Sequence, residues 1–379
     1  MKSIKTINVD NKKVLIRVDF NVPLNQDGEI KDDFRIKAHL KTIKYLKENN
    51  AKIILISHLG NPKGKEERLS LKVTADRLGD LLSSEVKFEG KPASYEKQAE
   101  ELNPGEVLLL ENLRFSKEEK ENNADFAAEI ARLADIFVQD SFSVCHRDHA
   151  SVSSIPKFLK SYAGLLLEEE IEALDKIIKN IKHPLVAIIG GAKIETKTSV
   201  IENFLEKADA VLLGGLIANT VLKHKGLYGE EVVQSKSIAH LNFEDPKLIV
   251  PIDGIISKRD FSRVGGVETI KKGEEIADIG PKTTNCYKEI IKKAKTIIWN
   301  GPLGKIENDV SSKSTEEIAR TINKDIYSVV GGGETIDFIH SKNLSSNFSF
   351  ISSGGGAMLD YLSGKNLKGI EALKKSYEN

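Results

Sequence analysis

The sequence has little cysteine, no net charge and no long apolar segment. Cys145 and Cys286 are its only cysteines in 379 residues, too few for a disulfide framework, so we predict a reducing cytoplasmic environment. Lys+Arg and Asp+Glu both total 56, which argues against a general nucleic-acid-binding protein. No apolar run reaches the roughly 18 residues of a membrane span, and the N-terminus leads into no signal core. We therefore expect no nucleic-acid or membrane partner.

Two common nucleotide-binding signatures are also missing. The sequence contains neither the G-x-x-x-x-G-K-[ST] of a P-loop nor the G-x-G-x-x-G of a dinucleotide fold. This disfavours a nicotinamide-dependent dehydrogenase but leaves open a mononucleotide bound in another way. With 40% hydrophobic and 30% charged residues, the composition is typical of a globular protein. The length predicts about two domains of ~150 residues each.

Short apolar runs recur along the chain and are nearly continuous rather than alternating, as expected for strands buried on both faces. The runs are Val14–Val18, Ile53–Ile56, Val107–Leu110, Ile136–Val138, Leu185–Ile189, Ala210–Leu213, Leu248–Val250, Thr296–Trp299, Ile326–Val330 and Phe348–Ile351. Amphipathic stretches separate many of them, and the spacing in Ile36–Asn49 predicts one helix. The alternation predicts an α/β fold of parallel sheets with helices on both faces.

A predicted helix over Leu165–Ile181 separates the runs into two groups. Its apolar residues repeat every three or four positions, and acidic residues lie in its first turn. We interpret it as a connector between an N-terminal domain at 1–164 and a second α/β domain at 182–361.

Polar and basic residues follow the strands of the first half. Because ligands of open parallel sheets bind beyond the carboxyl ends of strands, we expect His58, Arg114, Arg147 and Arg35 to converge there. Guanidinium groups match carboxylates and phosphates, so the pattern predicts a pocket for a small polyanion. Taken singly, each arginine is better explained as a surface or ion-pair residue, but the recurrence of three or four at strand ends favours the pocket.

Glycine-rich turns follow the strands of the second half, at Gly190-Gly191, Gly214-Gly215, Gly301, Gly331–Gly333 and Gly354–Gly356. Glycine lets a backbone approach a ligand closely, so five such turns at one sheet edge predict a nucleotide site. Lys193 and Lys197 are four residues apart and would share one face of a helix. They either flank an anion or belong to a solvated helix face.

Cys145, His146 and His149 suggest two weaker hypotheses, a metal site and a Cys–His nucleophile. The spacing fits no common zinc pattern, and adjacent residues in an extended chain point apart. We rank both below ordinary structural roles.

Several longer motifs occur together and in a fixed order. They are Arg17-Val-Asp-Phe-Asn-Val-Pro-Leu24, Ser57-His-Leu-Gly60, Leu110-Glu-Asn-Leu-Arg-Phe115, His146-Arg-Asp-His-Ala-Ser151, Gly190-Gly-Ala-Lys193, Trp299-Asn-Gly-Pro-Leu-Gly304, Gly331–Gly333 and Gly354-Gly-Gly-Ala357. Together they resemble the phosphoglycerate kinase family over nearly the whole chain.

The resemblance implies two Rossmann-like lobes joined by a helical hinge at 165–181, with a C-terminal segment, 362–379, returning to the first lobe. It also implies reversible phosphoryl transfer from 1,3-bisphosphoglycerate to ADP, giving 3-phosphoglycerate and ATP, with Mg²⁺ carried by the nucleotide, in a monomer. The implied triose-binding residues of the first lobe are Asp19, Asn21, Arg35, His58, Asn61, Arg114 and Arg147. The implied nucleotide-binding residues of the second lobe are Lys197, Glu307, Gly332, Gly333, Glu334 and Thr335. Lys193 and Arg35 would act on the transferring group.

Three positions depart from the family's usual pattern. Asn61 stands where arginine is usual, Glu334 where aspartate follows the glycines, and Ser353 where threonine is usual. Glu334 would hold the metal that bridges the phosphates, or would be a solvent-facing acid favoured by the helix dipole. An alternative for the whole chain is a regulatory anion- or nucleotide-binding protein that keeps the fold without catalysis.

Overall fold

A computed structural model describes residues 1–228, 241–258 and 261–377. The chain divides into two compact units. Unit 1 comprises Met1–Ile171 and the chain from Asn366 onward, and unit 2 comprises Glu172–Lys365. The α-helices are α1 (Phe34–Ala38), α2 (Leu40–Glu48), α3 (Lys72–Leu82), α4 (Tyr95–Glu100), α5 (Lys117–Lys120), α6 (Ala124–Ala131), α7 (Leu165–Ile178), α8 (Thr198–Lys207), α9 (Gly215–His224), α10 (Pro281–Lys293), α11 (Asp309–Thr321), α12 (Gly333–Ser341), α13 (Gly356–Leu362) and α14 (Lys368–Lys375).

Unit 1 is built on a six-stranded parallel sheet with the order β3-β4-β2-β1-β5-β6. Its strands are β1 (Lys13–Arg17), β2 (Lys52–Ile56), β3 (Val86–Glu89), β4 (Val107–Leu110), β5 (Ile136–Gln139) and β6 (Ser161–Ala163). Successive residues of one strand enter different cores, because side chains alternate between the faces of a sheet. Val14 and Ile16 join a core with α2 and α3 residues, whereas Leu15 joins one with α4 and α6 residues. The predicted coverage of both faces is therefore confirmed.

Unit 2 contains a second six-stranded parallel sheet with the order β15-β14-β13-β7-β8-β9. Its strands are β7 (Leu185–Ile189), β8 (Ala210–Leu213), β9 (Leu248–Ile249), β13 (Thr296–Asn300), β14 (Tyr327–Gly331) and β15 (Phe350–Ser352). The strand order reverses between β7 and β13, the place where an open parallel sheet forms a crevice for ligands. The predicted glycine-rich turns all follow strands of this sheet.

A three-stranded antiparallel sheet in unit 2 has no counterpart among the sequence predictions. It consists of β10 (Asp253–Lys258), β11 (Phe261–Gly266) and β12 (Glu275–Ile279). Three of the six residues of β11 are exposed and none is buried, so its sequence lacks a continuous apolar run. The strands β3 and β6 of unit 1 were also absent from the predicted runs.

Two helix predictions were partly wrong. The single helix expected over Ile36–Asn49 is divided at His39, whose amide bonds to the Ile36 carbonyl at 3.2 Å instead of continuing the regular helical ladder. The connector helix ends at Ile178 rather than Ile181, because the amides of Lys179 and Asn180 both turn back to the Asp175 carbonyl. The connector contributes its first half to unit 1 and its second half to unit 2.

Across the described ranges, the helices are all too short or too polar to cross a membrane.

Candidate active site

Asp19 lies just beyond the carboxyl end of β1 and is held on several sides. Its carboxylate accepts hydrogen bonds from Arg35 Nη1 and from the Ser143 hydroxyl. Its backbone amide donates to His39 Nε2 at 2.8 Å. Burial alone would raise the pKa of Asp19, but the positive charge of Arg35 and the hydrogen bond from Ser143 hold it well below its usual range. A fixed negative charge therefore sets the position of Arg35, one of the two residues expected to act in catalysis.

His58 and Arg17 lie side by side in the interior of unit 1. Arg17 is fully buried, and its Nη2 lies 3.1 Å from His58 Nδ1. Burial lowers the pKa of His58; Asp19 opposes the shift, while Arg17, Arg114 and Arg147 lower it further. The imidazole is therefore neutral and surrounded by positive charge.

Arg114 carries hydrogen-bond donors without partners, although it is only 5% exposed. Its Nη1 donates to the Gly60 carbonyl at 2.6 Å. Within the described residues, its Nε and Nη2 are buried and make no hydrogen bond. Burial, followed by the charges of Arg147 and Arg17, lowers the pKa of Arg114 to about 10. Buried donors of this kind are costly unless a ligand satisfies them, and an anion is the matching ligand.

The other predicted triose-binding residues surround this cluster. Asn21 accepts a hydrogen bond from the Gly60 amide at 2.8 Å, and Arg147 is half-buried. Asn61 is exposed, and Lys120 Nζ donates to its side-chain oxygen at 3.4 Å. Lys120 thus places a cation beside the position where the family usually has arginine. The sequence offered no signal for it, since it is one of many exposed lysines.

Lys197 is anchored at the crevice of unit 2. Its Nζ donates to the carbonyls of Gly190, which directly follows β7, and of Asn300, the last residue of β13. Burial lowers the pKa of Lys197 to about 8, although the charge of Glu334 opposes the shift. The prediction that Lys197 shares a helix face with Lys193 was wrong. Lys193 is exposed in extended backbone before a 3-10 turn, because that turn separates it from α8.

A cavity of about 430 Å³ opens beside these turns. Its lining includes Gly191, Leu216, Pro302, Glu307 and Glu334. The size lies within the range of roughly 300–1,000 Å³ typical of small-molecule sites. The cavity brings together two predicted nucleotide-binding residues, Glu307 and Glu334, although they come from different loops.

Close backbone contacts explain why glycine occupies the turns around this cavity. A Cβ at Gly301 would lie 2.2 Å from the Gly190 carbonyl oxygen, a distance that side chains do not adopt. Gly332 precedes α12 with φ of 97°, a backbone conformation that favours glycine. The turns therefore depend on glycine for their geometry.

The first turn of α12 contains the remaining predicted residues. Thr335 is buried, and its hydroxyl oxygen accepts a hydrogen bond from the Gly301 amide at 3.1 Å. Gly333 and Glu334 are exposed. In the part of the chain that the structure describes, no three His, Cys, Asp or Glu side chains form a metal cluster. A lone carboxylate suits a metal that arrives with phosphates, since Mg²⁺ commonly uses one or two carboxylates plus substrate oxygens.

Asn300 is a functional candidate that the sequence predictions missed. Its Nδ2 is buried and lacks a hydrogen-bond partner among the described residues. A Cβ built at Gly332 would lie 3.4 Å from this atom, so the free donor lies against the glycine turn before α12. The sequence singled out the adjacent glycine instead, because an unsatisfied donor becomes visible only in the fold.

The weaker hypotheses around Cys145 gain no support. Cys145 is fully buried, and burial raises the pKa of its thiol, which makes it a poor nucleophile. Burial and the nearby arginines lower the pKa of His149 to about 4. Both side chains belong to the electropositive interior of unit 1.

Comparisons with known proteins agree with this arrangement of sites. The family model described as phosphoglycerate kinase matches residues 4–365. Phosphoglycerate kinases of Finegoldia magna and Desulforapulum autotrophicum are each 40% identical over 98% of this chain, covering 98% and 100% of their own lengths.

Solved structures show the same likeness. Phosphoglycerate kinase from Coxiella burnetii has 36% identity and a TM-score of 0.84, with 98% of both chains covered. The enzyme from Pyrococcus horikoshii has 33% identity and a TM-score of 0.90 over the full length of both chains. The chain belongs to the phosphoglycerate kinase family.

Proposed function

We propose that the protein catalyses reversible phosphoryl transfer between 1,3-bisphosphoglycerate and ADP, giving 3-phosphoglycerate and ATP. Family membership makes it a kinase that uses a carboxyl group as acceptor. The observation that carries the substrate assignment is Arg114, a buried cation with two free donors among other cations. A small dianion at the strand ends of unit 1 satisfies both the charge and the donors.

In this proposal the triose binds to unit 1. Arg114 and Arg147 neutralise the 3-phosphate, and His58 contacts it as an uncharged hydrogen-bond donor. Asp19 and Asn21 orient the hydroxyl-bearing carbon. Lys120 supplies the positive charge that Asn61 lacks. Arg35, fixed by Asp19, lies ready to contact the reacting end of the substrate.

The nucleotide binds to unit 2 in the cavity lined by Glu307 and Glu334. Glu307 contacts the ribose, while Lys197, the amides of Gly332 and Gly333, and Thr335 contact the phosphates. Asn300 adds its free Nδ2 donor to the same region. Glu334 would hold the Mg²⁺ that enters with ATP or ADP, which would supply positive charge to offset that of the phosphate oxygens.

The protein's chemical contribution is positioning and charge neutralisation. Phosphoryl transfer needs an in-line approach of the acceptor oxygen and stabilisation of the equatorial oxygens, with little covalent work by the enzyme. Arg35 and Lys193 supply that stabilisation, and no phospho-enzyme forms. Because the two substrates bind to different units, the reaction requires closure about the connector, which also removes water from the site.

A coupled assay tests the function directly. With Mg-ATP and 3-phosphoglycerate, production of 1,3-bisphosphoglycerate is followed through reduction by a dehydrogenase and loss of NADH absorbance. Turnover that requires both substrates supports the proposal, and no turnover at high enzyme concentration contradicts it and favours a regulatory protein. Gel filtration tests the proposed monomer, and cell fractionation tests the proposed cytoplasmic location.

A further inference from the structure

Two buried histidines of unit 1 hydrogen-bond to partners that define their ring protons. His39 Nε2 accepts a hydrogen bond from the Asp19 amide at 2.8 Å. A backbone N–H only donates, so Nε2 carries no proton. The proton of the neutral ring is on Nδ1, which donates to Asp140 at 2.6 Å.

His58 has the opposite arrangement. Its Nδ1 lies 3.1 Å from Arg17 Nη2, and a guanidinium group has donors but no acceptor. Nδ1 must therefore accept. The nearest carboxylate oxygen, Asp19 Oδ1, lies 3.9 Å from Nδ1, beyond hydrogen-bond distance. The proton of the neutral ring is thus on Nε2.

Arg17 is held in this orientation by a buried chain of hydrogen bonds. Its Nε donates to the Ser151 hydroxyl at 2.9 Å. That hydroxyl donates to Glu119 Oε1 at 2.6 Å, and the Ser151 amide donates to Glu119 Oε2 at 2.9 Å. The four residues of this hydrogen-bond network, Glu119, Ser151, Arg17 and His58, are each at most 2% exposed. Water therefore competes weakly with these contacts, and the hydrogen-bond network is rigid.

We propose that the chain Glu119–Ser151–Arg17 fixes His58 as a neutral ring with its proton on Nε2, so that His58 offers the triose a single N–H donor. Glu119, Ser151 and Arg17 are then positioning residues that act through His58. The role in triose binding rests on the proposed function, whereas the position of the ring proton does not.

The charges around His58 favour the neutral ring at physiological pH. Arg17, Arg114 and Arg147 act on it from three different segments and only Asp19 opposes them, while Glu119 acts on the neighbouring Arg17. A protonated His58 would place a further positive charge among these cations and would turn Nδ1 into a donor facing a donor. Triose recognition through His58 is therefore independent of pH between 6 and 8.

The test is NMR of the full-length protein containing histidine labelled with ¹⁵N in the ring. Long-range ¹H–¹⁵N spectra distinguish the two neutral tautomers and the charged ring, and His58→Gln identifies the His58 signals by their loss. We expect Nε2–H for His58 and Nδ1–H for His39 in one spectrum, unchanged from pH 6 to 8. A charged His58, or Nδ1–H at that ring, would overturn the proposal.

Ser151→Ala removes the link between Glu119 and Arg17 while leaving both charged groups in place. We expect mixed protonation of His58, an unchanged His39, and a KM for 3-phosphoglycerate raised about tenfold, as for one lost hydrogen bond to a charged group. The KM for Mg-ATP stays constant. Ser151→Thr restores the tautomer, and the nearby Ser153→Ala is the matched control.

The outcomes separate the two proposals. If Ser151→Ala leaves both the His58 tautomer and the KM for 3-phosphoglycerate unchanged, the network Glu119–Ser151–Arg17 does not act through His58. Expected tautomers in a protein without turnover overturn the proposed function but support the assignment of the ring proton.

Discussion

At the scale of single residues, the site is marked by polar groups that folding leaves unsatisfied. Arg114 and Asn300 both bury donors without partners in the described structure. Such donors cost stability in the ligand-free protein, and binding a phosphate recovers that cost. The sequence predicted Arg114 from its place after a strand but not Asn300, because its neighbours in the sequence are stronger signals.

Substitution of Lys120 tests whether this lysine supplies the positive charge that Asn61 lacks. Lys120→Ala should raise the KM for 3-phosphoglycerate about two- to fivefold, as expected for one exposed charge. Steady-state kinetics with each substrate varied in turn measure the effect. Lys117→Ala removes another exposed lysine of α5 and should change neither KM. Equal effects of the two variants would contradict a specific role for Lys120.

Lys197 predicts a pH dependence of nucleotide binding. Because burial lowers its pKa to about 8, the side chain is charged at pH 7 and largely neutral at pH 9. Loss of that charge weakens attraction to phosphates, so the Kd for Mg-ADP should rise by up to about tenfold between these values. Calorimetry at each pH measures it. In Lys197→Arg the charge persists at both values, so a pH dependence of the same size in that variant would exclude Lys197 as its source.

Substitution of Glu334 distinguishes two hypotheses, that this residue binds the metal or that it only stabilises the N-terminus of α12. Glu334→Ala should raise the KM for Mg-ATP by roughly tenfold, since it removes a charged ligand, and should leave the KM for 3-phosphoglycerate nearly unchanged. Steady-state kinetics measure both constants. Glu334→Asp, the usual family residue, should retain binding. Equal rises in both KM values would indicate that Glu334 only stabilises the start of α12.

At the scale of elements, ten strands of the two parallel sheets were predicted within about two residues because their apolar runs carry the information locally. The strands β3 and β6 were not predicted, since neither has such an apolar run. The break at His39 was not predicted, because its ring reaches Asp140, which lies far along the chain. The chain from Glu119 to His58 was missed for the same reason. Its members come from α5, the segment between β5 and β6, and the ends of two strands.

The C-terminal helix α14 gives a prediction about stability. It packs on unit 1 through the fully buried Leu373, and the Gly369 amide donates to the Cys145 carbonyl at 2.9 Å. Leu373→Ala should lower the free energy of unfolding of unit 1 by about 2–5 kcal/mol, because it leaves a cavity. Urea unfolding measures the change. The exposed Lys374→Ala is the control, and similar losses from both variants would show that α14 contributes little through its apolar face.

At the scale of the whole molecule, the chain divides its proposed substrates between two units with separate cores. Neither substrate alone should bring the reacting groups together. We expect small-angle X-ray scattering to show a smaller radius of gyration with both 3-phosphoglycerate and a non-hydrolysable Mg-nucleotide than with either one. An unchanged radius would remove closure from the mechanism.

The assignment of a triose-binding domain, a connector and a nucleotide-binding domain to particular residue ranges stays a prediction. The hydrophobic pattern located the connector but not the residue at which the contacts change from one unit to the other. That residue lies inside α7, between Ile171 and Glu172, and nothing in the local sequence distinguishes it. A boundary inside a continuous helix depends on which neighbours surround each turn, and those neighbours come from the whole chain.

Asp140 has a consequence for anyone redesigning the connector. Its carboxylate accepts hydrogen bonds from His39, from the Thr42 hydroxyl and from the Leu166 amide in the first turn of α7. Gly164 comes so close that a Cβ there would lie 2.0 Å from Asp140 Oδ1. The start of α7 and His39, which contacts the Asp19 amide, are thus both held by Asp140. A linker graft that replaced residues 164–166 would change the substrate pocket, whereas one beginning a turn later would preserve the anchor.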